Sequence, residues 1–255
     1  MIKLQSFNKG DDLEMAMVIQ NNIQSQGFVD TFNGDISSFL SIDNFNKLKE
    51  IMRPKVVKAG THLFWEGEKA EKMYFINSGQ IKLRTSTEAG KEFLLGIKEE
   101  GSLLGEFGGC DDQVFYTYRA EVTESGEVSS ILVSDLKKLL YQFGNFAVEF
   151  MNWLGWMNRV TQTKLHDVLF YDKSGTLAST LLRMSHSYGV KCSDGILLNI
   201  ELTNKEIADF IGSTRESVNR LLNSWRKAGF IDIIGKQIVI IRPEELYSLC
   251  DSLSC

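Results

Sequence analysis

The stretch Leu202–Leu222 constrains this chain more than any other. It carries two hydroxyl-x-x-Glu patterns, Thr203 with Glu206 and Ser213 with Glu216, and each is a start signal for a helix. Ile211-Gly212 lies between them, and glycine allows a tight reversal because it adopts left-handed backbone angles without a steric cost. Ile207, Ala208, Ile211, Val218, Leu221 and Leu222 are spaced to pack the two helices together. Two short helices joined in this way form a helix-turn-helix. The β-prone run Phe230–Ile241 follows and is placed to form a hairpin wing.

The second helix, expected over Thr214–Arg226, presents Arg215, Glu216, Asn219 and Arg220 on its first two turns, with Ser217 beside them. These residue types match base edges: Arg pairs with guanine, Glu accepts from cytosine, and Asn bonds adenine. Thr203, Lys205, Ser213 and Thr214, with the amides at helix starts, suit phosphate oxygens. Glu216 has two competing uses, as a cap and as a base reader. A helix pair with a solvated charged face in a protein-interaction module is the rival reading of the same pattern.

Charge is local rather than global. The chain has 28 Lys+Arg against 33 Asp+Glu, a net of −5. Within 213–227, however, Arg215, Arg220, Arg226 and Lys227 face Glu216 alone. Nucleic-acid affinity depends on where cations sit, so a modest acidic total does not exclude it. No apolar run is long enough to cross a membrane, and Met1–Lys9 lacks a basic-then-apolar leader, so a cytoplasmic chain is expected.

From Arg53 to Val133, short β-rich runs alternate with glycines, the pattern of a β-barrel or jelly roll. Thr85–Glu92 reads as a hairpin turn. Such a roll can house a metal enzyme, but His62 is its only histidine, too few for a converging ligand set. From Ser134 to Tyr171, Phe146, Phe150, Leu154, Met157, Thr161, Leu165 and Val168 recur at helical spacing. A helix this long and apolar needs two partners, and a second copy of the chain is the expected one for this stripe. Residues 172–255 read as a small module of helix, strand, helix, helix, strand. The expected fold is therefore α+β. It comprises a helical extension over 1–44, with weakly amphipathic Leu13, Met17 and Ile23, a β-roll over 45–133, a long dimerisation helix over 134–171, and a winged helix-turn-helix over 172–255.

Residues 45–242 resemble the Crp/Fnr superfamily in this order of parts, and Thr203–Leu222 is similar to its signature, with Gly212 and the Arg215, Glu216, Arg220 spacing. The resemblance implies a dimeric transcription regulator, not an enzyme, with a cyclic-nucleotide-binding-like sensor domain and contact with RNA polymerase. It also implies a palindromic operator with TGTGA-like half-sites. Asn219 stands where the family often has Gly or Ser, which leaves the half-site open.

The resemblance brings two ligands with it. Gly105-Glu106-Phe107-Gly108 matches the start of a cyclic-nucleotide cassette, but the Arg-Ser pair expected after it is replaced by Val114-Phe115-Tyr116-Thr117. Without that arginine the phosphate loses its charge partner, so cyclic AMP is not expected. The Firmicute Fnr branch, resembled by Ser174–Leu198, implies an iron–sulfur cluster held by C-terminal cysteines and an aspartate, here Asp167. Only Cys250 and Cys255 are present in the tail, short of the four ligands a cubane cluster takes. Three readings of the tail stay open: a cluster, a Cys250–Cys255 thiol–disulfide pair, or no cofactor at all.

Overall fold

The computed structural model describes residues 35–108 and 113–251. The helical signal read over Leu13–Ile23 and the Cys255 ligand lie outside the described residues. The chain divides into two compact units, 33–158 and a second formed chiefly by 159–255.

The first unit is the β-roll. A helix, α1 (Ile42–Glu50), precedes six strands: β1 (Arg53–Val57), β2 (His62–Phe64), β3 (Lys72–Ser86), β4 (Glu92–Lys98), β5 (Leu103–Leu104) and β6 (Arg119–Leu132). All pairings are antiparallel, in the order β1-β6-β3-β4, with β2 on β6 and β5 on β3. The register of β3 on β6 shifts around Gly79. A Cβ at Gly79 would stand 2.7 Å from the Glu124 carbonyl oxygen, so glycine lets the two backbones cross closely there. The hairpin read at Thr85–Glu92 joins β3 to β4, with Gly90 in the left-handed region.

Two apolar clusters fill the roll. One gathers Val57, Phe64, Ile76, Ile81, Leu104, Tyr116, Val122 and Val128 between the strands. The other joins Met73, Phe75, Leu103 and Ile131 to Leu48 of α1 and to the helices that follow β6. Ile36 and Leu40 are buried in this second cluster. The β-roll therefore incorporates part of the segment read as an N-terminal extension.

The helical run after β6 is two helices rather than one. They are α2 (Val133–Gln142) and α3 (Gly144–Phe170), and Phe143 between them is extended. That break lets the Phe143 ring pack with Leu139 and Leu140 against the second cluster.

The second unit holds α4 (Lys173–Tyr188), β7 (Gly189–Cys192), β8 (Gly195–Leu198), α5 (Asn204–Phe210), α6 (Arg215–Lys227), β9 (Ile231–Ile234), β10 (Gln237–Ile240) and α7 (Pro243–Asp251). Its sheet runs β7-β8-β10-β9, antiparallel throughout. Asp172 caps α4 by accepting from the Gly175 amide at 2.8 Å. Gly175–Met184 are buried without interruption, so α4 is the central helix of this unit. Strand β7, between α4 and β8, and helix α7, after β10, add to the expected order.

Candidate nucleic-acid interface

Helices α5 and α6 form the helix-turn-helix. Thr203 and Glu206 make the reciprocal capping box read from sequence, with both the side-chain and backbone bonds present. Gly212 turns the chain at φ 63°. Ile207, Ala208, Ile211, Val218 and Leu222 are buried between the elements, and Trp225 joins them.

The second cap differs from the sequence reading. Thr214, not Ser213, caps α6, and its hydroxyl accepts from the Ser217 amide at 3.3 Å. Ser213 lies one residue earlier and donates its backbone N–H to the Ala208 carbonyl at 2.9 Å. Its hydroxyl is buried and has no hydrogen-bond partner. Ser213 is therefore removed from the phosphate-contact set, because neither of its donors faces outward. The same shift removes the capping-box use of Glu216. As the second residue of α6 it belongs to no capping box, and its carboxylate is exposed.

The outward face of α6 is open. Arg215, Glu216 and Arg220 are exposed, and no hydrogen bond or ion pair engages them among the described residues. Elsewhere on the pair, charges are spent internally: Lys205 bonds Asp209 at 3.0 Å and Arg226 bonds Asp232 of β9 at 2.8 Å. Asn219 is half-buried, and its side-chain oxygen accepts a hydrogen bond from the Asn204 amide of α5. That contact joins residues far apart in the pattern and was not read from sequence. Strands β9 and β10 form the wing.

Comparison with known proteins decides the family. A Crp-like helix-turn-helix domain matches residues 176–249, and a cyclic nucleotide-binding domain matches residues 54–143. An "anaerobic regulatory protein" of Bacillus subtilis is 40% identical over 215 residues, covering 84% of this chain and 90% of that protein. The chain belongs to the Crp/Fnr family of transcription regulators. A "global nitrogen regulator" of Nostoc is 30% identical over 190 residues, 72% of this chain and 83% of that one. Among solved structures, a CooA mutant from Carboxydothermus hydrogenoformans shares the fold with a TM-score of 0.68 and 21% identity, covering 80% and 90% of the two chains. FixK2 from Bradyrhizobium japonicum does so at 0.67 and 18%, covering 78% and 97%.

In this Crp/Fnr chain the cassette-like segment is satisfied from within. The Gly105 amide donates to the Tyr118 hydroxyl at 3.1 Å, and that hydroxyl donates back to the Gly105 carbonyl at 3.2 Å. Glu106 accepts from the Thr117 hydroxyl at 2.6 Å. Phe107 packs edge-on against Phe150, ring centroids 5.3 Å apart. Gly108 lines a separate surface recess of about 340 Å³ with Lys69, Ser134 and Lys137. Burial raises the Tyr118 phenol well above its ordinary range, against the opposing bond to Gly105, and Glu106 adds to the rise. The amide and carboxylate that a cyclic nucleotide would use already hold partners.

Of the residues implied for an iron–sulfur cluster, Asp167 and Cys250 are described, and each already holds other partners. Asp167 is buried, and its carboxylate accepts from Ser179 at 2.6 Å and is ion-paired with Arg183. Arg183 is itself buried, which lowers its guanidinium to about 10 while nearby Cys250 pushes it the other way. The buried Cys250 thiol donates to the Leu246 carbonyl at 3.4 Å. Freeing Asp167 for iron would take a carboxylate partner from the buried Arg183. No group of three metal-ligating side chains occurs among the described residues.

The long-helix stripe also divides. Phe146 and Phe150 are 0% and 1% exposed, held in the β-roll's own cluster, with Leu154 and Met157 packed against it. Phe146 and Phe150 are corrected from dimer contacts to intrachain core, because a side chain already enclosed cannot meet a second copy, whereas Leu154 and Met157 are only partly buried. Thr161, Leu165 and Val168 are exposed, as are Leu169 and Phe170. Periodicity alone showed one stripe, and it did not show which partner each end would choose.

Proposed function

We propose that the chain acts as a homodimer that reads a palindromic, TGTGA-like operator with α6, through Arg215, Glu216, Ser217, Asn219 and Arg220. Thr203, Lys205 and Thr214 hold phosphates at the helix starts. The observation that carries this reading is a contrast within the helix pair: Lys205 and Arg226 are ion-paired, while Arg215, Glu216 and Arg220 stand exposed and unengaged at the start of α6. Side chains at the first turns of a recognition helix are those that reach base edges. The second copy docks along the exposed Thr161, Leu165 and Val168, continued by Leu169 and Phe170. Dimerisation pairs two recognition helices for half-sites one helical turn apart, about 34 Å.

The regulator works in the cytoplasm, catalyses no reaction and contacts RNA polymerase. Its 40% identity to a protein named as an anaerobic regulator supports control of anaerobic genes. Neither cyclic AMP nor an iron–sulfur cluster is its resident ligand, given the engaged Gly105, Glu106 and Asp167. Selection of bound duplexes from random DNA, with and without oxygen, tests the reading. A palindrome recovered under both conditions supports it. No enrichment removes the DNA-reading assignment, and enrichment only without oxygen reinstates an oxygen-labile cofactor.

A further inference from the structure

The contact between Asn204 and Asn219 bears on which base the regulator prefers. Asn204 is the first residue of α5, fixed in place by the Thr203–Glu206 capping box just before it. Its amide N–H2 donates to the side-chain oxygen of Asn219, fifteen residues later on α6. Both side chains are half-buried at the helix–helix contact. An asparagine that reads adenine uses both ends of its amide, the oxygen accepting from N6 and the nitrogen donating to N7. Here the oxygen is turned toward α5. The edge left for a base is the N–H2 group, which only donates.

We infer that Asn204 is a positioning residue that makes Asn219 a donor-only reader, so that Asn219 selects guanine or thymine over adenine or cytosine. Guanine offers O6 and N7, and thymine offers O4, as acceptors in the major groove. Adenine keeps one acceptor, N7, where guanine offers two, and its N6, like cytosine N4, presents an amino group that meets the Asn219 N–H2 donor to donor. This rests on the reading of α6 as the recognition helix and deepens it at one position of each half-site.

The test is selection from random-sequence duplexes with the full-length chain, followed by competition on the recovered operator mutated at each position. Four proteins are compared: the native chain, Asn219→Ala, Asn204→Ala and Asn204→Asp. Asn219→Ala identifies the base pair that Asn219 reads. At that pair the native chain prefers G or T by at least about five-fold, the low end of a specific base contact. Asn204→Ala frees the amide and lets adenine recover to parity or better. Asn204→Asp places an acceptor opposite Asn219, draws its N–H2 inward and leaves the oxygen facing the base. That variant reverses the preference toward adenine or cytosine at this pair alone, while other positions keep their ranking. An aspartate in the first helical turn is favourable to the helix, so the variant folds. A palindrome that changes at one pair in Asn219→Ala but not in either Asn204 variant overturns the inference and leaves the DNA reading intact. Failure of the native chain to select any palindrome overturns the reading beneath it.

Discussion

Two glutamates distinguish the two ends of this molecule. Glu106, in the β-roll, sits where the family resemblance places an effector contact, yet its carboxylate is bonded to Thr117 at 2.6 Å. Glu216, on α6, sits where the resemblance places a base reader, and its carboxylate is exposed with no partner among the described residues. The same division holds around each. Gly105 is closed by Tyr118, whereas Arg215 and Arg220 are open. A polar group kept exposed and unengaged is available to a ligand, while one already bonded contributes to the fold. By that standard the DNA-reading end is equipped for binding and the cassette is built as structure.

Substitutions should therefore separate by readout. The largest effect is expected at Asp167→Asn, which leaves Arg183 buried beside a neutral amide. Breaking one side of a buried pair costs roughly 3–5 kcal/mol, so the urea unfolding midpoint should fall sharply while the selected operator sequence stays the same. A midpoint within error of the native one would show that the pair is not the anchor described. Arg220→Ala should do the opposite. It should lose about 1–3 kcal/mol of discrimination per half-site in mobility-shift competition, with little change in unfolding. Tyr118→Phe removes the hydroxyl bonded to Gly105 and should cost about 1 kcal/mol of stability without altering operator choice. Changed operator choice there would mean that the cassette still signals.

The smallest effect concerns Lys98, which shares a face with Ile81 and Val122 in the sheet register. Burial lowers its ammonium to about 8 from 10.5. The unfolded chain thus binds the proton more tightly, and folding carries a penalty that is fully present below pH 8 and disappears above about pH 10.5. Lys98→Met should raise stability by about 1 kcal/mol at pH 7, with the advantage shrinking as the pH climbs from 8 toward 10.5. An advantage that persists at pH 10.5 would trace the gain to packing rather than charge.

Much of this architecture was legible in the residues, for identifiable reasons. Thr203, Glu206 and Gly212 lie within one local segment, and capping and glycine rules act over a few residues. The β-roll was legible through its glycines and short β-rich runs. What escaped reading depended on distance or on ties. Ser213 and Thr214 are adjacent hydroxyl residues with equal claims to the cap, and the tie was broken by the Ser213 amide reaching back to Ala208. Phe146 and Val168 belong to one periodic stripe, but only folding assigns the first to the core and leaves the second exposed. Asp167 was implied as a ligand by the family resemblance, and its ion pair with Arg183, sixteen residues on, could not be read from spacing. Helix α7 did have a signal: Pro243 followed by Glu244 and Glu245 is a favoured helix start.

The central claim is that the open face of α6 reads DNA while the cassette-like segment of the β-roll serves the fold. Operator selection with the native chain and with Arg220→Ala tests it most directly. The account predicts a palindrome with half-sites about one helical turn apart for the native chain, and loss of that sequence from the Arg220→Ala pool. The same palindrome recovered by both proteins would contradict it.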